Sequence, residues 1–322
     1  MKVMLRLISA TVIALLPAVC PGQIARVEVH PIQSVTMSDQ DFLNGRTDGK
    51  PVTLAGELRI PRPGADKLPA VVLLHGSGGV GRNVVDWEQE LSSMGVATFV
   101  LDAFTGRGIV VTNTNQGLLG RLAMSYDAYR VLETLEKHPR IDPQRIAVMG
   151  FSRGGQAALY SSVRRFQRMH GPASGRDFAA YIPFYATCGT IFVEDDEVSP
   201  NPIRMFHGTA DNYVPVAPCR DYVARLKSKG ANVVLTEYEG AHHVFDSRAL
   251  MKPVVAAKSQ STRSCQLAEA QNGVVVNVKT QQAFSYADPC VELGPTIAYD
   301  EKAHAEAVKA VKAFVTATLL RP

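Results

Sequence analysis

The sequence predicts an α/β domain, a mostly parallel central sheet with helices on both faces. Three observations carry that prediction. Short apolar runs recur at residues 69–74 (PAVVLL), 96–101 (VATFVL) and 146–150 (IAVMG), and uninterrupted runs of this length suit strands buried on both faces. Between them lie segments with apolar positions three and four apart, which is helical spacing. Polar, glycine-rich loops follow the strands, and in sheets of this kind ligands bind at the carboxyl ends of the strands.

The elements follow in order. Residues 25–30 and 52–60 alternate as strands do, and Pro61-Arg62-Pro63-Gly64 ends the second. The strand at 69–74 runs into His75-Gly76-Ser77-Gly78-Gly79. A helix is predicted over 86–94, stopped by Gly95, then a strand over 96–101 and a long helix over 123–137. The strand at 146–150 precedes a helix over 156–165 and a strand over 178–184. Residues 203–206 form a strand ending at His207-Gly208. A helix over 216–229, closed by Gly230, leads to a strand over 232–237. An alanine-rich amphipathic helix over 303–319 follows last. Residues 246–299 break the rhythm, being long, polar and supplied with two cysteines. Within them 273–279 (GVVVNVK) reads as one arm of a hairpin with Asn272-Gly273 as its turn. The segment is read as an insertion before the last helix of one domain spanning 23–322.

Length and composition agree with that reading. The 322 residues suit one large α/β domain. A chain that is 46% apolar and 20% charged is neither disordered nor a coiled coil. The first segment reads as an export signal over 1–22: Lys2 and Arg6 precede an apolar run at 7–19 (LISATVIALLPAV), and Cys20 and Gly22 supply small residues before a cut at Gln23. The run is shorter than the roughly 20 residues a spanning helix needs. A retained anchor and lipidation at Cys20 are the alternatives, the latter disfavoured by Val19. Removing the segment takes the net charge from +4 to +2, which gives no reason to infer a nucleic-acid partner. The expected location is periplasmic or secreted, with no membrane association once the signal is gone. Four cysteines then remain, Cys188, Cys219, Cys265 and Cys290, an even number that suggests two disulfides in an exported chain. Four cysteines permit three pairings, and spacing does not choose among them.

The chemistry is expected in the loops after the strands. Gly150-Phe151-Ser152-Arg153-Gly154 fits G-x-S-x-G between a buried strand and a helix, the context of a nucleophile elbow and hence of an α/β-hydrolase fold. Side chains at the glycine positions would collide with neighbouring strand and helix. The helix N-terminus beside Ser152 favours an oxyanion. A serine hydroxyl needs a base, and in this fold the chain order is serine, acid, histidine. Asp211, after the strand at 203–206, is the candidate acid, with Asp102 in reserve. The base is His242 or His243. The backbone N–H groups of Ser77 and Arg153 are the candidate oxyanion donors. Neither a P-loop nor a dinucleotide fingerprint is present in 75–81. Two adjacent histidines without a nearby carboxylate cluster do not predict a metal, and no cofactor is expected.

These segments resemble the dienelactone hydrolase family. The similarity is carried by HGSGG at 75–79, LDAFTGRG at 101–108, GFSRGG at 150–155, HGTADNYVP at 207–215 and YEGAHHVFD at 238–246. The last piece resembles the family's G-A-x-H-x-F, which implies His243 as the histidine. The resemblance implies an esterase or lactonase for small substrates, without a cofactor. Founding members carry cysteine where Ser152 stands, and the segment after His243 is longer here. Exported relatives imply the pairing Cys188–Cys219, which leaves Cys265–Cys290 to staple the insertion. Arg107 is a candidate substrate contact, and Trp87 and Tyr213 are candidate pocket residues. The serine–histidine–aspartate set alone does not separate an esterase from a peptidase or an acyltransferase on the same scaffold. A non-catalytic binding protein of this fold is the remaining alternative. Oligomeric state is not readable from the sequence.

Overall fold

The computed structural model describes residues 24–321; the expected export signal at 1–22 lies outside them. The centre is an eight-stranded sheet. Its strands in chain order are β1 (Arg26–Thr36), β2 (Lys50–Ile60), β3 (Leu68–Leu74), β4 (Ala97–Asp102), β5 (Ile141–Phe151), β6 (Ala180–Phe184), β8 (Ile203–Gly208) and β9 (Val233–Tyr238), with β7 (Thr190–Ile191) lying outside it. Their order across the sheet is β1-β2-β4-β3-β5-β6-β8-β9. Only β2 runs against its neighbours; every pairing from β4 to β9 is parallel.

The pleat explains why the apolar runs are continuous. Along β3, Ala70, Val72 and Leu74 enter one core while Val71 and Leu73 enter the other, so all seven residues of the strand are buried. The first core packs against α1 (Asp39–Leu43), α3 (Ala123–Leu135), α4 (Arg153–Tyr160), α5 (Arg164–His170) and α6 (Ala217–Ser228). The second packs against α2 (Arg82–Ser93) and α7 (Glu301–Val315). On α7 the buried positions Ala303, Ala307, Val311 and Val315 fall four apart, the stripe that an alanine-rich amphipathic helix presents to a sheet.

Among the elements that differ from the sequence expectation, three do so for a plain local reason. β1 continues through Pro31 to Thr36. It is an edge strand paired only with β2, where a residue without an N–H is tolerated. α2 starts four residues early, at Arg82, because Val84 joins Trp87 and Leu91 on its buried face. The helix expected over 156–165 is two helices. Ser161 and Ser162 turn their hydroxyls back onto the carbonyls of Ala158 and Leu159, at 2.9 and 2.6 Å, and such bonds compete with the helical ladder.

The insertion over 246–299 is built from short ribbons: β10 (Val254–Val255), β11 (Gln260–Ser261), β12 (Leu267–Glu269), β13 (Val275–Asn277), β14 (Glu292–Leu293) and β15 (Thr296–Ile297). β12 and β13 are the two arms of the expected hairpin. At its tip Asn272 and Gly273 have φ of 57° and 68°, the left-handed pair that favours Asn-Gly. β12 also pairs with β7. Both disulfides join the expected partners: Cys188–Cys219 ties the segment after β6 to α6, and Cys265–Cys290 closes the insertion on itself. Replacing Cys265 and Cys290 together with serine should cost about 3 kcal/mol of cross-link stabilisation. The loss should appear as protease cleavage confined to 246–299 at temperatures where the sheet remains intact, read by limited proteolysis and mass spectrometry.

Candidate active site

β5 delivers its last residue, Phe151, to a turn that L-residues avoid. Ser152 has φ 54° and ψ −113°, a strained backbone that persists only when its surroundings impose it. The surroundings do so through glycines. A Cβ on Gly150 would stand 2.0 Å from the Gly154 carbonyl oxygen, and one on Gly154 would stand 2.1 Å from that of Leu74. Without side chains there, α4 starts hard against β3. The Ser152 N–H donates to the Phe184 carbonyl at 3.0 Å, and the Ser152 carbonyl accepts from Gln156 at 2.8 Å.

The end of β8 and the segment after β9 come to the same edge. Asp211 is almost fully buried and uses both carboxylate oxygens. Oδ1 accepts from the backbone N–H groups of Tyr213 and Val214, at 2.9 and 2.8 Å. Oδ2 lies 2.6 Å from His243 Nδ1, and His243 Nε2 lies 2.9 Å from Ser152 Oγ. The ionised carboxylate therefore accepts from Nδ1–H, and the lone pair of Nε2 faces the hydroxyl. Burial alone would raise the Asp211 carboxyl, but the charges and hydrogen bonds of His243 and His207 outweigh it and hold it well below the usual carboxylate range. Of the two adjacent histidines, His243 meets the serine, whereas His242 leaves its Nδ1 buried without a partner.

The loop after β3 faces Ser152 from the other side. A Cβ on Gly76 would lie 3.2 Å from the Phe151 carbonyl oxygen and 3.4 Å from Ser152 Cβ. Ser77 and Arg153 both line the cavity at Ser152. Among the described residues the backbone N–H of neither has an acceptor. His75 is fully buried: its Nε2 accepts from the Ala103 N–H at 3.1 Å and its Nδ1 donates to the Gly76 carbonyl at 2.7 Å. Burial lowers its pKa, so it holds the loop as a neutral imidazole. Asp102, the reserve acid, is spent on the N–H groups of Phe104 and Thr105.

Arg107 is not a substrate contact. Its side chain is buried and all five of its N–H bonds are used: a fork onto Asp127 at 2.8 and 2.8 Å, the Ala103 and Val35 carbonyls, and Thr36 Oγ1. It ties β1 to α3. Trp87 is also core, donating its indole N–H to Asp246 at 2.8 Å. Tyr213 does reach the site, its ring centroid 4.8 Å from that of His243.

The sequence reading missed several groups. Gln116 Oε1 accepts from Ser77 Oγ and Arg153 Nη2, at 3.0 and 2.7 Å, and its Nε2 donates to the Tyr213 hydroxyl at 3.3 Å. Nothing in the local sequence marks it. Asp246 is fully buried and accepts from Trp87 and from the Tyr185 hydroxyl. Tyr185 in turn lays its ring edge-on to His243, with centroids 4.7 Å apart. The insertion is part of the site. Ser261 donates to the Tyr213 carbonyl, Arg263 to the Asn212 carbonyl, and Asn212 accepts from Thr296 N–H. The Ala298 N–H bonds the His243 carbonyl.

Glu28, His30 and His138 form the one grouping with metal-ligand spacing among the described residues. His138 Nδ1 accepts from the Arg140 N–H, so in the neutral ring Nε2 carries the proton and donates it to Glu28. Its lone pair does not face a metal position.

The family model of the dienelactone hydrolase family matches residues 57–319, which takes in the sheet from β3 to β9, the serine turn, the histidine and the insertion. The chain belongs to the dienelactone hydrolase family. As a member it is a hydrolase of carboxylic esters with a small-molecule substrate. Solved structures agree on the fold. A dienelactone hydrolase-like promiscuous phosphotriesterase from metagenomic libraries superimposes with a TM-score of 0.59 at 16% identity, covering 91% of this chain and 98% of its own. An esterase of Thermogutta terrifontis gives 0.51 at 23% identity, covering 71% and 85%.

Two outcomes are expected from this geometry. Arg107→Lys should destabilise this dienelactone hydrolase family member by about 3 kcal/mol, because Asp127 loses its fork, while KM for an ester stays unchanged. Denaturant melts and steady-state kinetics read the two separately. The lowered Asp211 pKa sets a pH dependence of stability. The folded chain binds fewer protons there than the unfolded chain, so the stabilisation is complete above about pH 5 and is lost as the pH falls below about 4. Unfolding midpoints between pH 6 and 3 should fall less steeply in Asp211→Asn than in the native chain.

Proposed function

We propose that the protein is an exported serine esterase or lactonase that works through an acyl-enzyme on Ser152. The observation that carries the reading is the unbroken chain of contacts from Asp211 through His243 to Ser152. His243 Nε2 takes the Ser152 proton as Oγ forms a bond to the substrate carbonyl carbon. The carbonyl oxygen becomes negative and is met by the free N–H groups of Ser77 and Arg153. The tetrahedral adduct collapses, the bond to the leaving oxygen breaks, and His243 returns its proton to that oxygen. Water, deprotonated by the same imidazole, then attacks the acyl carbon and releases the acid and free serine. Asp211 keeps the Nδ1 proton in place and stabilises the imidazolium formed twice in the cycle.

The location is part of the proposal. The leader over 1–22 and two disulfides fit an oxidising compartment, periplasmic or extracellular. The mature domain runs from residue 23.

Ser152→Ala should lower kcat/KM for p-nitrophenyl acetate by about a million-fold, and Asp211→Asn by about ten-thousand-fold. A fluorophosphonate should add one phosphonyl group at Ser152 by mass spectrometry. Retained turnover in Ser152→Ala, or labelling elsewhere, overturns the assignment.

A further inference from the structure

The insertion carries a surface that the serine chemistry does not use. A cavity of about 200 Å³ at Ser152 lies between the glycine loop at 76–81, Asn113 and the insertion residues Leu250, Ala256 and Ile297. β10 and β15 pair beside it, Val254 with Ile297 and Val255 with Thr296. Successive residues of a strand point to opposite faces. Ile297 borders the cavity, yet both residues of β10 are open to solvent, Val254 at 47% and Val255 at 62%. The ribbon therefore stands clear of the domain at the cavity's edge. Met251, just before it, is 69% exposed. Across the cavity Val80, Val110 and Val111 are exposed as well. A Cβ on Gly79 would stand 3.4 Å from the Val110 carbonyl oxygen, so those two loops lie side by side, and the Gln260 N–H on the Asn113 carbonyl joins them to the insertion. Single exposed apolar residues are ordinary. Two groups of them flanking one cavity form a patch, and such patches mark interaction surfaces.

The charge around the patch has one sign. Its rim is built from residues 75–85, 103–126 and 247–268, and none of these segments contains an aspartate or glutamate. Arg248, Lys252 and Lys258 are exposed on either side of the two valines. The carboxylates that adjoin the rim are engaged elsewhere: Asp86 with Arg82, Glu292 with Arg263, and Asp300 as the cap of α7. A second copy of this chain would bring the same cations and no counter-charge, so self-pairing sets like against like. An apolar projection between cations suits an anionic lipid surface instead. Valines enter the boundary between headgroups and acyl chains, and lysines keep their ammonium groups at the phosphates.

We propose that the β10–β15 ribbon, together with Val80 and Val110, docks this protein on an anionic phospholipid surface and holds the mouth of the Ser152 cavity against it. Amphiphilic esters in that surface are then within reach of the serine. The contact is peripheral: among the described residues no helix is long and apolar enough to cross a membrane. It departs from the expectation of no membrane association, because the patch is assembled from three separate segments and no single stretch of sequence displays it. The surface follows from the ribbon and its charges, and does not depend on Ser152 being the nucleophile.

The test is sedimentation with vesicles of the chain starting at residue 23, since the apolar run at 7–19 would bind lipid by itself. Vesicles of phosphatidylcholine with roughly one third phosphatidylglycerol are compared with phosphatidylcholine alone, and the native chain should bind the anionic ones at least tenfold more tightly. Lys252→Gln combined with Lys258→Gln should weaken binding by about thirtyfold, some fivefold for each charge, and added salt should act in the same direction. Val254→Ser combined with Val255→Ser should weaken it at least tenfold in a chain that still unfolds cooperatively. Ser152→Ala should bind as the native chain does, so docking and catalysis are read separately, and lost turnover with intact binding touches only the serine reading. No binding to anionic vesicles, equal binding to both kinds, or unchanged binding in either double variant overturns the docking surface. A native dimer in sedimentation velocity that the valine variant dissolves would assign the patch to a second copy and overturn it as well.

Discussion

The site depends on one backbone constraint. A serine is presented at the edge of a parallel sheet by a turn with φ 54° and ψ −113°, which costs on the order of 1–3 kcal/mol wherever it occurs. The turn survives because α4 cannot relax away from β3. Gly150 and Gly154 leave out side-chain atoms that would force them apart, and bonds from Ser152 to Phe184 and Gln156 hold the turn from both ends. Every other feature of the site is arranged around a hydroxyl whose position is thereby fixed.

The histidine is held differently. It sits in a loop, and loops do not hold a geometry by themselves. Here Val244, directly after it, has φ 63°, a conformation a β-branched residue avoids. The return of the insertion imposes it, through the Ala298 N–H on the His243 carbonyl and the Asp300 N–H on that of Phe245. The loop bearing Asp211 is braced by the same insertion, through Ser261, Arg263 and Thr296. Residues 246–299 are thus a wall of a cavity at Ser152 and a brace for both side chains aligned with it, Asp211 and His243.

The buried strands were legible because burial on both faces leaves an unmistakable apolar run, and the serine turn was legible because its sterics require glycine at set positions. The Asn-Gly tip and the late histidine were readable for similar reasons. What escaped the sequence is what depends on distant partners. Arg107 stands in a loop where a substrate contact is reasonable, yet Asp127, two carbonyls and the Thr36 hydroxyl take all of its donors. Gln116 is a hub for Ser77, Arg153 and Tyr213, a role no spacing rule encodes. The split between α4 and α5 turned on two serine rotamers, below the resolution of periodicity.

The chain contains one tryptophan, and its placement has an optical consequence. The Trp87 indole N–H is bonded to Asp246, three residues after His243, and its ring packs against Phe184, whose carbonyl accepts from the Ser152 N–H. A carboxylate at the indole nitrogen tunes both the wavelength and the yield of its emission. Intrinsic fluorescence from this molecule therefore comes from a single chromophore seated behind the histidine loop. Any rearrangement of that loop during turnover would be written directly into the emission spectrum, with no label attached.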